Sequence, residues 1–263
     1  MRAWRWAGRG WIVACLAFLY LPILLVVAWS FNAGRLAAVW SGFSLRWYEA
    51  LFHDEALLQA LGVTVRVAVL SATLATVLGL CAGLGLARPR RLPAPGLFAT
   101  AVYAPLVLPD VLLGLSLLLL FVSAGVARGF WTVAIAHATG AVAYVAVVVQ
   151  ARLARVDPSL EEAAQDLGAG PVKAFVTVTL PLIAPAVAAG WLLAFSLSLD
   201  DLVLASFTAG PGSTTLPMRL YSQIRLGVNP EINAASTLMI LAAATAAGTY
   251  ALVLRRTRNL GSA

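Results

Sequence analysis

The sequence predicts an all-α integral membrane protein with six transmembrane helices and a short helical loop between the fourth and the fifth. Three observations predict it. Hydrophobic residues make up 61% of the chain and charged residues only 11%, whereas soluble domains carry about 25% charge. Six apolar runs are long enough to cross the roughly 30 Å hydrocarbon layer, which takes about 20 helical residues. Positive charge gathers on alternate loops between those runs, as it does when a chain has one fixed orientation in a bilayer.

The runs fall at about 11–31, 61–87, 97–122, 130–151, 182–204 and 234–254. The first follows Arg2, Arg5 and Arg9, a basic start like that of a signal peptide. Its apolar stretch is too long for an ordinary signal, and no Ala-x-Ala cleavage site follows, so an uncleaved span is expected. Trp4, Trp6 and Trp11 read as anchors at the first interface. Between the first two runs, residues 45–52 (Leu-Arg-Trp-Tyr-Glu-Ala-Leu-Phe) have the pattern of an amphipathic helix lying at the interface. The third run contains Pro105 and Pro109, which free backbone groups and bend a helix. Residues 205–233 contain Gly210-Pro211-Gly212 and Leu216-Pro217 and read as a turn followed by a short irregular or helical piece.

Arginines set the topology. Arg2, Arg5, Arg9, Arg88, Arg90, Arg91, Arg152, Arg155, Lys173, Arg255, Arg256 and Arg258 fall on one side, two-thirds of the 18 basic residues. Both termini and the loop between the fourth and fifth runs are therefore expected in the cytoplasm. The net charge of +7 records this orientation and does not point to nucleic acid. Cys15 and Cys81 both lie in apolar runs and read as small hydrophobes, so neither a disulfide framework nor a metal site is indicated.

The loop at 157–181 is the most specific feature. Asp157-Pro158 is a helix start, with Asp as cap and Pro at the first helical position. Glu161 and Glu162 fall in the first turn, where negative charge opposes the helix dipole. Leu160, Ala163, Ala164 and Leu167 make one apolar face. Gly168 can take the left-handed conformation that ends a helix. Gly170-Pro171 restarts a second helix bearing Val172, an exposed Phe175 and Val176, and Leu180-Pro181 is expected to close it at the membrane. Two short capped helices at an angle would offer a surface to a soluble partner.

The spacing Glu162-Ala163-Ala164, Gly168, Leu180-Pro181 resembles the EAA loop of ABC-importer permeases. Leu106-Val107-Leu108-Pro109-Asp110, Ser198-Leu199-Asp200-Asp201, Thr208-Ala209-Gly210-Pro211-Gly212, Thr215-Leu216-Pro217 and residues 227–234 (Gly-Val-Asn-Pro-Glu-Ile-Asn-Ala) resemble permeases of putrescine/spermidine importers, above all the second permease of the heterodimeric pair. The resemblance implies a type I ABC importer permease fold in one domain spanning 1–263, in a bacterial inner membrane. It implies that Glu162, Ala163, Ala164, Gly168, Phe175, Leu180 and Pro181 grip an ABC ATPase dimer. A sister permease subunit and an external solute-binding protein complete the assembly it implies.

The chain has no P-loop, and its sole lysine, Lys173, sits in Val-Lys-Ala rather than Gly-Lys-Ser/Thr. No cofactor is expected in this chain; ATP and Mg would be used by the partner. Asp110, Asp200 and Asp201 are the candidate cargo path, since acids in a membrane are costly and tend to serve function. Each also has a structural reading, as a helix-bend hydrogen bond for Asp110 and as interfacial caps or an ion pair with an outer arginine for the pair. His137, Tyr144 and Gln150 read as interhelical hydrogen-bond partners. The alternatives are a permease for ferric iron or an opine-like solute, a secondary transporter, and a membrane enzyme using Asp200-Asp201 as a carboxylate pair.

Overall fold

The structure, a computed structural model, describes residues 2–34, 39–88, 92–226, 231–241, 244–245 and 248. The described residues are almost entirely helical: α1 (Arg2–Trp29), α2 (Arg46–His53), α3 (Glu55–Ala87), α4 (Pro95–Val107), α5 (Asp110–Ser123), α6 (Phe130–Leu153), α7 (Ser159–Asp166), α8 (Pro171–Ala174), α9 (Leu180–Asp200), α10 (Val203–Thr208) and α11 (Leu216–Leu226), followed by α12 (Glu231–Leu241). A π-helical turn, Phe175–Thr179, joins α8 to α9. The chain divides into two compact units, Met1–Leu58 with Leu220–Ala263, and Gln59–Arg219.

In the first unit, α1 leaves Trp11, Phe18 and Leu24 exposed, as a helix facing lipid does. The segment after it is pinned by Asn32, which is buried. Its amide nitrogen donates to the Val39 carbonyl, and its Oδ1 accepts from the amides of Gly34 and Ser41. Trp47 donates to the Asn32 carbonyl, and the hydroxyls of Tyr48 and Ser30 meet at 2.6 Å. These bonds seat the amphipathic helix that the sequence predicts over 45–52, with Leu51 buried and Phe52 exposed.

In the second unit, α6 is the central helix. Val145 and Val149 pack with Ile183 and Ala194 of α9 and with Ala72 and Ala75 of α3. Small residues permit this approach, because membrane helices associate by close packing rather than by a hydrophobic drive. A Cβ at Gly79 would sit 2.6 Å from Val145 Cβ, and one at Gly83 would sit 2.9 Å from Val149 Cβ. At one end, the Thr132 hydroxyl donates to the Thr208 carbonyl and joins α6 to α10.

Four described helical segments are long and apolar enough to cross a membrane: Gly8–Trp29, Glu55–Ala87, Phe130–Leu153 and Pro171–Asp200. The run expected as one span over 97–122 is instead α4 and α5, bent by 112° at their junction. Pro109 causes the break: Leu108 before it is extended, at φ −72° and ψ 133°, as residues preceding proline are. The span expected over 182–204 starts earlier, at Pro171, and stops at Asp200, so Leu180-Pro181 does not close a helix. The helix runs through because the π-helical turn lets the Leu180 amide reach back to Phe175, just ahead of Pro181, which has no amide to give. Of the span expected over 234–254, α12 covers the start; residues 249–254, Arg90, Arg91, the tail arginines and residues 227–230 of the Gly227–Ala234 block lie outside the described residues.

Candidate functional site

The loop at 157–181 folds from its own sequence signals. The Asp157 carboxylate accepts from the Ser159 amide at 3.0 Å, and the Ser159 donors hold its pKa below the usual carboxylate range. The helix ends in a Schellman turn: the Gly168 amide bonds the Gln165 carbonyl and the Ala169 amide bonds that of Ala164. Gly168 has φ +89°, a conformation that costs any other residue about 1–2 kcal/mol. Pro171 then starts α8. Leu167 is 90% exposed and Val172 75% exposed, so the elbow presents apolar side chains outward. Leu160 and Val176 are exposed as well.

Two details differ from expectation. Phe175 is half-buried rather than exposed. With Leu84, Leu92 and Val172 it lines a pocket of about 360 Å³ whose polar edge is Arg88 and Glu161. Adjacent helical residues point about 100° apart, and here the division falls between the two acids. Glu162 is exposed with Ala163, whereas Glu161 is buried. Glu161 receives both terminal nitrogens of Arg88, from the end of α3, and the Thr179 hydroxyl at 2.7 Å. Its part goes beyond the dipole contact the sequence suggested; an acid-acid pair opening a short helix was the only available signal.

A second site gathers residues far apart in sequence. Asp110, Asp200, Asp201, His137, Tyr144 and Ser198 line one cavity of about 340 Å³. It forms where two interrupted helices meet α6: the α4–α5 bend supplies Asp110, and the α9–α10 interruption supplies Asp200 and Asp201. Interrupted helices leave backbone polar groups unpaired, which is tolerated at membrane depth only where they are covered by protein or line an aqueous cavity. Asp110 opens α5, where helix-dipole charge favours a carboxylate. Asp201 caps α10, its Oδ1 accepting from the Leu204 amide at 2.8 Å. Asp200 ends α9, the end at which the dipole disfavours an acid. His137 bonds the Ser198 hydroxyl through Nδ1 at 2.7 Å, as an interhelical partner should. The sequence did not join it to the acids. Gln150 accepts from the Tyr103 hydroxyl.

An all-helical membrane protein with interrupted helices around an acidic cavity, and an apolar helical elbow between two spans, is a transport component. Residues 75–258 match the family described as "Binding-protein-dependent transport system inner membrane component", and the chain belongs to that family. It is 52% identical over 229 residues to the putrescine transport system permease protein PotI of Escherichia coli K12, covering 85% of this chain and 82% of that one. It is 39% identical over 232 residues to the spermidine/putrescine permease PotC of the same strain, covering 88% of each. The Haemophilus influenzae PotC is 41% identical over 225 residues, 86% of this chain and 87% of that one.

Solved structures share the fold. A bacterial ABC transporter that imports the acidic polysaccharide alginate superposes with TM-score 0.74 at 16% identity, over 97% of this chain and 96% of that one. The MetNI methionine transporter superposes with TM-score 0.65 at 18% identity, over 76% and 95%. The chain is thus a multi-pass inner-membrane permease subunit of an ABC importer, and not itself a catalytic subunit.

Proposed function

We propose that this chain carries putrescine- or spermidine-type polyamines into the cell, as one half of a heterodimeric permease fed by an external binding protein. The observation that carries this reading is the 52% identity to a putrescine permease over most of both chains. The cavity supports it: Asp110, Asp200 and Asp201 bring negative charge to one wall system, and Tyr144 adds an aromatic face, the chemistry that holds a flexible polycation weakly. Binding here should be loose, because a cargo must leave as readily as it enters.

Glu162, Ala163, Ala164, Gly168, Phe175, Leu180 and Pro181 would form or support the docking surface for an ABC ATPase dimer, which binds ATP and Mg. Leu167 and Val172 join them, since an exposed apolar elbow calls for a covering partner. The arginine distribution supports a cytoplasmic place for this loop and both termini. The test of cargo is uptake by cells lacking their own polyamine importers, expressing this chain with its sister permease, ATPase and binding protein. Labelled putrescine or spermidine should accumulate, and unlabelled polyamine outside should compete with its uptake. Accumulation of ferric iron or an opine instead would overturn the cargo assignment and keep the permease.

A further inference from the structure

We propose that His137 Nε2 and Asp201 Oδ2 together form a subsite for one primary ammonium group of the cargo. The proposal rests on the polyamine reading and names the atoms that would meet the amine. His137 is an unusual presence: its side chain is 1% exposed, and its Nε2 is buried with no hydrogen-bond partner. Buried polar atoms are nearly always bonded, so each exception calls for a cause. The ring lines the acidic cavity, and its other nitrogen is already committed to Ser198.

The partner across the gap is equally particular. Asp201 Oδ1 accepts from the Leu204 amide, and the carboxylate held there stands with Oδ2 toward the His137 ring. Nε2 and Oδ2 stand 4.0 Å apart, too far for a direct hydrogen bond and close enough to share one donor. A nitrogen about 2.9 Å from both would see them at an angle of roughly 90°, within the bend that hydrogen bonds tolerate. A primary ammonium has three N–H donors; two serve this pair, and the third faces the cavity with Asp110 and Asp200. A quaternary amine has none to give.

The ring must present a lone pair at Nε2 for this. Ser71 Oγ lies 3.2 Å from the Ala68 carbonyl and 3.0 Å from Ser198 Oγ, and one hydroxyl hydrogen serves one acceptor at a time. With Ser71 turned to Ala68, Ser198 is free to accept from Nδ1–H, which leaves Nε2 bare toward the amine. With Ser71 turned to Ser198, Ser198 can give its own hydrogen to Nδ1, and Nε2 then carries the ring hydrogen toward Asp201. The occupant of the cavity selects the arrangement, and a cation selects the first.

The test uses the complete complex in proteoliposomes, with ATP inside and saturating putrescine-loaded binding protein outside. Asn at 137 reaches Ser198 but places nothing at Nε2; Gln extends a polar atom toward the Nε2 position. His137→Asn should lower putrescine uptake per complex about tenfold, the loss expected for one hydrogen bond to a charged group, and His137→Gln should recover to within about threefold of wild type. Combined with Asp201→Asn it should do no more harm than the worse single variant, because both atoms hold the same group. The amount of assembled complex should not change. Wild-type uptake in His137→Asn would overturn the subsite, as would multiplying effects in the double variant or equal loss in Asn and Gln with less assembled complex. A wild-type complex that takes up no putrescine would overturn the polyamine reading, and this subsite with it; normal import by wild type and variants alike would overturn the subsite alone.

Discussion

Arg88, at the end of α3, lies against Glu161 of α7 with both terminal guanidinium nitrogens on the two carboxylate oxygens. The same carboxylate accepts from Thr179 in the π-helical turn. One buried acid therefore ties three elements together: the end of a span, the first helix of the 157–181 loop, and the turn that carries the chain back into the membrane. Two-point pairs of this kind are geometrically specific as well as strong.

Breaking that tie should loosen the 157–181 loop without unfolding the spans. Glu161→Ala leaves Arg88 and Thr179 without their acceptor, at a cost of about 1–3 kcal/mol. Hydrogen exchange across 157–180 should quicken in the purified complex, and uptake per ATP hydrolysed should fall. The exchange Arg88→Glu with Glu161→Arg should recover part of both. Unchanged exchange in Glu161→Ala would show that the pair does not hold the loop.

The elbow itself should be required for the ATPase. Gly168 sits at φ +89°, which proline cannot adopt. Gly168→Pro should sharply reduce the ATPase that co-purifies with the membrane subunits. Leu167→Asp, at a position 90% exposed, should do the same while leaving the fold intact, because a charge there spoils only an apolar contact. Full ATPase retention in both variants would remove this loop as the docking site.

Charge in the cavity should tune passage rather than decide it. Asp201→Asn keeps an Oδ1 that can cap α10, since Asn caps as well as Asp, so the variant changes charge more than structure. Loss of one screened contact to a cation costs on the order of 1 kcal/mol, about fivefold in uptake. Asp200→Asn should have a similar effect, and Asp110→Asn a smaller one. Normal uptake per complex in all three would leave no part for the acids in the path.

The packing of α3 on α6 should tolerate no added bulk. Gly79→Val would force side-chain carbons into Val145, an overpacking that costs about 1–3 kcal/mol. The purified complex should melt at a lower temperature, whereas Gly96→Ala, with open space around it, should melt as wild type does.

Apolar length alone was enough to find α1, α3, α6 and most of α9, because a run of twenty apolar residues has few other uses. The Schellman turn at Gly168 and the cap at Asp157 were legible because both are local chemistry. What could not be read depends on partners distant in sequence. Pro109 announces a bend, but not that α5 leaves at 112° to α4. Pro181 looks like a helix stop, and the π-helical turn that lets the helix continue has no sequence mark. Glu161 and Glu162 differ only in which face meets Arg88. His137 resembled any histidine among alanines, and its relation to Asp201 depends on α9 ending at Asp200.

This chain should move cargo only when a separate ATPase drives it and a binding protein supplies it. Proteoliposomes holding this chain, its sister permease and the ATPase test it directly. Labelled putrescine should enter with ATP inside and loaded binding protein outside, and not when either is withheld. Uptake driven by a proton gradient, without ATP or binding protein, would contradict it.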